Sequence, residues 1–111
     1  GRSDDDVVAG ELREAAVAQG CRPISAVTDR EVVTVAGRVT AVTLRPRAAT
    51  PALVAQLHDG SMVVQIIWLG RRRIHGIETG AYVKVTGLIT RPGGAPTIYN
   101  PAYELVAPDG H

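Results

Sequence analysis

The sequence predicts an all-β fold in which one α-helix precedes five short strands that close into a barrel. Three features predict it: a capped helical segment near the start, valine-rich alternation from Glu31 onward, and an Asp59-Gly60 turn between two alternating runs. The 111 residues, 45% apolar and 21% charged, have the composition of one ordinary globular domain. We expect a helix and lead-in segment over residues 1–29, the barrel over 30–106 and a tail over 107–111.

The helix is expected over residues 4–19. Residues 3–6 supply side-chain oxygens that can cap its start, and Gly20 stands where a C-terminal cap glycine is common. Because its apolar stripe is narrow and its first turn is acidic, the helix is expected to support the fold or to contact a protein rather than phosphate. The apolar residues at helical spacing are Val8, Leu12, Ala15 and Ala16.

The first strand is long and valine-rich, and its apolar side chains change face part of the way along it. The change falls between Val39 and Val42, which predicts a bulge in a strongly bent strand, as at the corner of a small barrel. One face carries Val33, Val35, Gly37, Val39 and Ala41, and the other carries Val42 and Leu44.

Four shorter strands follow, separated by turn residues. Asp59-Gly60 predicts a hairpin between the second and third strands, and the fourth is expected over residues 82–90. Pro101 interrupts the last, over residues 97–105, and therefore predicts an edge or a strand end there. The apolar faces are Leu53, Ala55 and Leu57 in the second strand, Val64, Ile66 and Trp68 in the third, and Val83, Val85, Gly87 and Ile89 in the fourth.

A three-strand meander, a wide connector over residues 70–80 and a final hairpin match the five-stranded Greek-key barrel called the OB-fold. An SH3-like barrel or part of a sandwich would share much of this pattern. The wide connector after the third strand favours the OB-fold. The expected fold is therefore a five-stranded Greek-key OB barrel with an N-terminal α-helix.

Five short motifs, in order, carry a family resemblance: Gly37-Arg38-Val39, Leu57-His58-Asp59-Gly60-Ser61, Ile66-Ile67-Trp68-Leu69, Val83-Lys84-Val85-Thr86-Gly87 and Ile98-Tyr99-Asn100-Pro101-Ala102-Tyr103-Glu104-Leu105. With them, residues 31–106 resemble bacterial OB-fold nucleic-acid-binding domains. That family includes anticodon-binding domains of some tRNA synthetases, the wedge domain of the branch-migration helicase and small stand-alone actinobacterial OB-fold proteins. The resemblance implies that the chain binds nucleic acid. The similarity to the helicase wedge domain further implies a role in DNA repair or recombination. Met62 departs from the family, which usually has a second glycine there.

The charge distribution favours a polyanionic ligand, although the net charge is only +1. Residues 30–95 carry nine basic and three acidic side chains, whereas residues 1–29 carry three basic and six acidic ones. A basic middle between acidic ends is expected of a module that meets polyanions through its body. Uneven scatter of solvated charges is the alternative.

The expected binding groove lies across the second and third strands, flanked by the loops after the first and fourth strands. Both loops contain arginine and proline, and guanidinium groups suit phosphate because their donors bond two oxygens at once. The triple arginine at residues 71–73 lies in the connector, either facing the groove or forming a solvated surface. The candidate cations are Arg45, Arg47, Arg71, Arg72, Arg73, Lys84 and Arg91.

Tyr82 and Tyr99 are the candidate stacking platforms, because they fall on the polar sides of their strands. Trp68 shares a face with Val64 and Ile66 and is therefore expected in the core or at the barrel rim. Gln65 is expected on the groove floor. A floor of Val, Gln and Ile provides no aromatic ring on which bases can stack, so binding is expected to be weak and sequence-tolerant.

No catalytic or cofactor site is expected. His58, Asp59 and Ser61 lie in one tight hairpin, where neighbouring side chains point to opposite faces and cannot form a triad. No Cys or His pair has zinc spacing, and Gly93-Gly94 lacks the lysine of a phosphate loop.

The predicted function is that of a non-enzymatic accessory module that binds single-stranded DNA or RNA. A protein-docking adaptor, using the barrel face or the N-terminal helix, is the alternative. No membrane partner is expected, because the longest apolar run is far shorter than the roughly 20 residues of a membrane helix. No small-molecule substrate is expected either. A single cysteine and an acidic start favour a reducing, cytoplasmic location.

Overall fold

The computed structural model describes residues 4–45 and 50–106. Short 3-10 turns occur at Ile24–Ala26 and Pro92–Gly94. The longer elements are α1 (Asp4–Ala18), β1 (Glu31–Arg45), β2 (Ala52–His58), β3 (Val63–Leu69), β4 (Tyr82–Thr90), β5 (Thr97–Tyr99) and β6 (Ala102–Leu105).

The strands form one closed sheet. Their order is β1-β2-β3-β5-β4-β6, and an additional antiparallel pairing of β1 with β4 closes the sheet on itself. β3 and β5 are parallel, and the other pairs are antiparallel. This topology confirms the predicted OB-fold with an N-terminal helix. The predicted last strand is divided into β5 and β6 at Asn100, whose φ is 51°, and Pro101.

β1 bends where the sequence predicted a bulge. Its register against β2 shifts between Val39 and Ala41, so Thr40 is the extra residue. Gly37 lies just before the bend, and a Cβ there would overlap the backbone carbonyl of His58 on β2. The glycine therefore permits the close approach of the two strands.

The barrel core is built from the apolar faces that the alternation predicted. Trp68 is 5% exposed, its ring contacts that of Tyr103 edge-on at 5.8 Å, and its Nε1 donates to the Pro101 carbonyl at 3.3 Å. Residues 70–81 form turns rather than a helix, and Ile74 and Ile77 bury their side chains in the same core. The prediction that Trp68 lies in the core is confirmed.

Asp59 fixes the β2–β3 hairpin to the lead-in segment. Its Oδ1 accepts from the Ser61 N–H at 2.8 Å, the Ser61 hydroxyl at 2.7 Å and the Met62 N–H at 3.0 Å. Its Oδ2 accepts from the Ile24 N–H at 2.7 Å. The carboxylate is 1% exposed, so these bonds replace its hydration.

α1 packs on the outside of the barrel, against β1 and β4. Its buried residues are Leu12, Ala15 and Ala16, which contact Cys21, Ala36 and Tyr82. Among the described residues, no helix is long and apolar enough to cross a membrane.

Candidate nucleic-acid interface

The outer face of β2, β3 and β5 is the surface where the sequence predicted a groove, and we call it the groove face. The register places Val54, Ile67 and Tyr99 in one cross-strand row. A second row contains Gln56, Gln65 and Thr97. From Gln65 to Leu69 the face extends roughly 13 Å, at about 3.3 Å per strand residue.

Four arginines lie at one end of the groove face, and we call them the arginine rim: Arg45, Arg71, Arg72 and Arg73. The Gly70 N–H donates to the Pro51 carbonyl at 2.7 Å, which joins the start of the 70–81 connector to the β1–β2 loop. Arg45 pairs in register with Ala52, and Ala52 pairs with Leu69. The connector arginines therefore begin beside the same loop end as Arg45. Arg47, also predicted to bind phosphate, lies outside the described residues.

All four rim arginines are exposed, and none has a hydrogen-bond or ion-pair partner among residues 4–45 and 50–106. Three other arginines are held by the protein. Arg22 contacts Glu31 at 2.6 Å, and Arg38 Nη1 donates to the Gly80 carbonyl at 2.8 Å. The Arg22 hydrogen bond, with donors from Thr28, lowers the pKa of Glu31 to about 2. The rim arginines thus have donors available to a ligand, as do the exposed Arg13 and Arg30 away from the groove face.

Arg91 belongs to the held set. Its Nη2 donates to the Val27 carbonyl at 2.7 Å, and the side chain is half-buried. Its loop lies at the other end of the groove face, where the Gln65 N–H donates to the Pro96 carbonyl at 3.0 Å. The prediction that Arg91 extends toward the groove as a free cation is corrected, because this carbonyl holds it against the lead-in segment.

The two candidate stacking tyrosines differ in exposure. Tyr99 is 46% exposed and lies on the groove face beside Ile67. Tyr82 is only 5% exposed because α1 covers it. The predicted exposure of Tyr82 is wrong, since its strand alternates as expected but the helix packs on its polar side. Burial also raises the pKa of Tyr82 to about 12.

Lys84 does not lie on the groove face. It lies on the outer side of β4, in register with Ala36 on β1 and Glu104 on β6. The predicted nucleic-acid contact of Lys84 stays a prediction, and β4 places this residue on a different face from Gln65 and Tyr99.

The groove face offers two polar amides at its floor and exposed apolar side chains at the ends of β3, where Val63 is 39% and Leu69 49% exposed. Gln65 is half-buried and faces Gln56, its register partner, and neither side-chain amide is bonded to another described residue. Ala52, Val54 and Ile67 are buried in a small cluster separate from the barrel core. Sequence reasoning missed Gln56, although the alternation of β2 places it opposite to Leu53, Ala55 and Leu57.

The hairpin residues are arranged for structure. Asp59 bonds Ser61, whereas His58 Nδ1 accepts from the Gly60 N–H at 2.9 Å and takes no part in that network. Within the described part of the chain, no three His, Cys, Asp or Glu side chains are placed to hold a metal ion.

Comparison with known proteins agrees with this architecture. A family model described as an OB-fold nucleic acid binding domain matches residues 33–109. The structure of RecG bound to a three-way DNA junction contains a similar fold, with a TM-score of 0.67 and 23% sequence identity. That match covers 77% of this chain and 12% of the other, so this chain corresponds to a small part of that protein. No match is found among curated proteins.

Proposed function

Because this chain belongs to the family of OB-fold nucleic acid binding domains, we propose that it binds single-stranded nucleic acid across the groove face. The observation that carries the proposal is the arginine rim, four exposed guanidinium groups at one end of that face that have no partner within residues 4–45 and 50–106. Phosphates pair with the rim, because planar guanidinium donors suit their oxygens. Bases lie over Tyr99 and the glutamine floor.

A single strand fits this surface better than a duplex. An unpaired base can stack on one exposed ring such as Tyr99, whereas a base inside a duplex already stacks on its neighbours. The small number of exposed aromatic side chains on the described groove face supports weak binding with little sequence preference. The domain acts as an accessory module without catalysis.

The cellular setting is part of the same proposal. The similarity of fold to part of RecG, whose structure contains a DNA junction, supports a role in DNA repair or recombination. A cytoplasmic location suits a nucleic-acid ligand and keeps the thiol of Cys21 reduced.

Tyr99→Ala is expected to weaken binding of oligo-dT by about 1 to 3 kcal/mol, because one stacked base loses its platform. The melting temperature should change little, since the ring is 46% exposed. Tyr99→Phe, which keeps the ring, is the matched control and should bind like the unmodified protein. If Tyr99→Ala binds as tightly as the unmodified protein, Tyr99 is not the platform.

Fluorescence anisotropy with oligo-dT, oligo-U and a duplex of equal length, each at two salt concentrations, tests the function. The expected result is measurable binding of at least one single strand, weaker binding of the duplex, and a decline with salt. Preference for the duplex would overturn the single-strand proposal, and absence of any binding would overturn nucleic-acid binding.

The adaptor alternative is supported by exposed apolar side chains on α1. Val7, Val8 and Val17 point away from the barrel, and Val17 is 71% exposed. On this alternative α1 docks on a protein partner. Replacing the three valines with glutamine would then abolish the partner complex while leaving oligonucleotide affinity unchanged.

A further inference from the structure

The face beneath α1 resembles a binding surface in its residue types. It contains Ala36 on β1 and Tyr82 on β4, which pack against α1. Arg38 on β1 and Lys84 on β4 lie next to them in register on the same outer face, and we call the four residues the covered face. Arg38 and Tyr82 are register partners, as are Ala36 and Lys84. An aromatic ring with neighbouring cations is the combination that holds single strands. Glu104, in register with Lys84, is the acidic neighbour on the adjoining strand.

α1 is a poor cover for this face. Only Leu12, Ala15 and Ala16 are buried along its 15 residues, so little apolar area holds it down, although its backbone also approaches Gly60 of the hairpin closely. The Tyr82 hydroxyl beneath it is buried without a hydrogen-bond partner among the described residues. Leaving a buried hydroxyl unpaired disfavours the docked state, because the group would bond to water if the helix moved away.

α1 has a negative net charge, as a nucleic-acid strand does. The helix carries Asp4, Asp5, Asp6, Glu11 and Glu14 against Arg13 alone. An acidic helix lies where phosphates would lie if the covered face bound a strand. Elements with few buried contacts are those that open locally.

We infer that α1 is a displaceable acidic cover and that the covered face is a second binding surface for single-stranded nucleic acid. The inference rests on the proposed function, because both surfaces take the same ligand class. A strand that displaces α1 stacks on Tyr82 and places phosphate beside Lys84. Binding to the covered face then moves α1 away from the barrel, whereas binding to the groove face alone leaves α1 docked.

Cys21 supplies the reporter, because it is the only cysteine of the chain and is buried in the same cluster as Tyr82. Burial raises the pKa of its thiol, so the reactive thiolate is scarce while α1 is docked. The rate at which a maleimide labels Cys21 therefore measures opening of α1.

The experiment measures this labelling with and without saturating oligo-dT. The control, Cys21→Ala combined with Val64→Cys, moves the thiol into the barrel core, where Val64 is fully buried and labelling requires unfolding of the barrel. We expect oligo-dT to accelerate labelling of Cys21 by roughly fivefold or more, because the ligand binds the open state. It should slow labelling of the core thiol, because binding stabilises the barrel.

Tyr82→Phe provides an independent arm. Removing the unpaired hydroxyl should slow labelling of Cys21 without ligand by roughly fivefold or more, because the docked state no longer buries an unsatisfied group. Unchanged or faster labelling in this variant would contradict the marginal docking of α1.

The outcomes separate the two proposals. If oligo-dT protects the core thiol but leaves Cys21 labelling unchanged or slower, the groove face binds and the covered face does not, which overturns this inference alone. If oligo-dT changes neither rate, nucleic-acid binding itself is overturned, and so is the inference. Acceleration at both thiols would mean general destabilisation and would also overturn it.

Discussion

Replacing Trp68 with alanine is expected to lower the free energy of unfolding by about 3 to 5 kcal/mol, as large aromatic-to-alanine changes in cores do. The ring is 5% exposed among the core strands, and its Nε1–H bonds the Pro101 carbonyl. Removing it leaves a cavity and also frees the edge of Tyr103, whose hydroxyl donates to the His75 carbonyl at 2.8 Å. The loss should therefore extend to the 70–81 connector.

Urea unfolding followed by circular dichroism measures this change. Trp68→Phe is the control, because it keeps an aromatic ring in the core and loses only the indole N–H and some volume. It should lower the free energy of unfolding clearly less than Trp68→Ala does. A cost below about 1 kcal/mol for Trp68→Ala would contradict a core position, because fully buried aromatic residues do not show such small values. Strong quenching of Trp68 fluorescence by oligonucleotide, with stability unaffected, would instead assign the ring to binding.

Asp59→Ala is expected to destabilise the protein by roughly 3 kcal/mol or more, because a buried carboxylate that accepts four hydrogen bonds is lost. The Ile24 and Met62 N–H groups would lose their acceptor, and the lead-in segment would lose its bond to the hairpin. The cost lies in these unpaired donors rather than in lost apolar contact.

Thermal unfolding of the variant and the unmodified protein checks this prediction. Ser61→Ala is the matched control, because it removes only one of the four donors and should cost about 1 kcal/mol. Equal stability of Asp59→Ala and the unmodified protein would show that the hairpin is held by other contacts.

The strand pattern of the barrel could be predicted from local alternation. Period-two spacing gave the inward faces of β1 to β4, and the change of face after Val39 gave the bulge. Such spacing divides a strand into two faces but does not show which outer face another element covers. For that reason Tyr82 was expected to be exposed, although α1 lies on it.

The site depended on contacts between distant parts of the chain. The Gly70–Pro51 hydrogen bond, which no local pattern predicts, brings the start of the 71–73 run beside the loop that follows Arg45. Gln56 becomes a neighbour of Gln65 only in the observed register. Asp59 was recognised as a turn residue, but its bond to Ile24 spans 35 positions and was not visible in the sequence.

The salt dependence of oligo-dT affinity tests the assignment of phosphate contacts to the arginine rim most directly. Each phosphate contact on a single strand contributes roughly 0.7 to the slope of log affinity against log salt concentration. Arg71→Gln, Arg72→Gln and Arg73→Gln together should therefore flatten the slope by about 2. The control changes Arg13, Arg22 and Arg30 to glutamine, which removes the same charge from outside the rim and should leave the slope nearly unchanged. Equal slopes for the two triple variants would contradict the rim as the phosphate site.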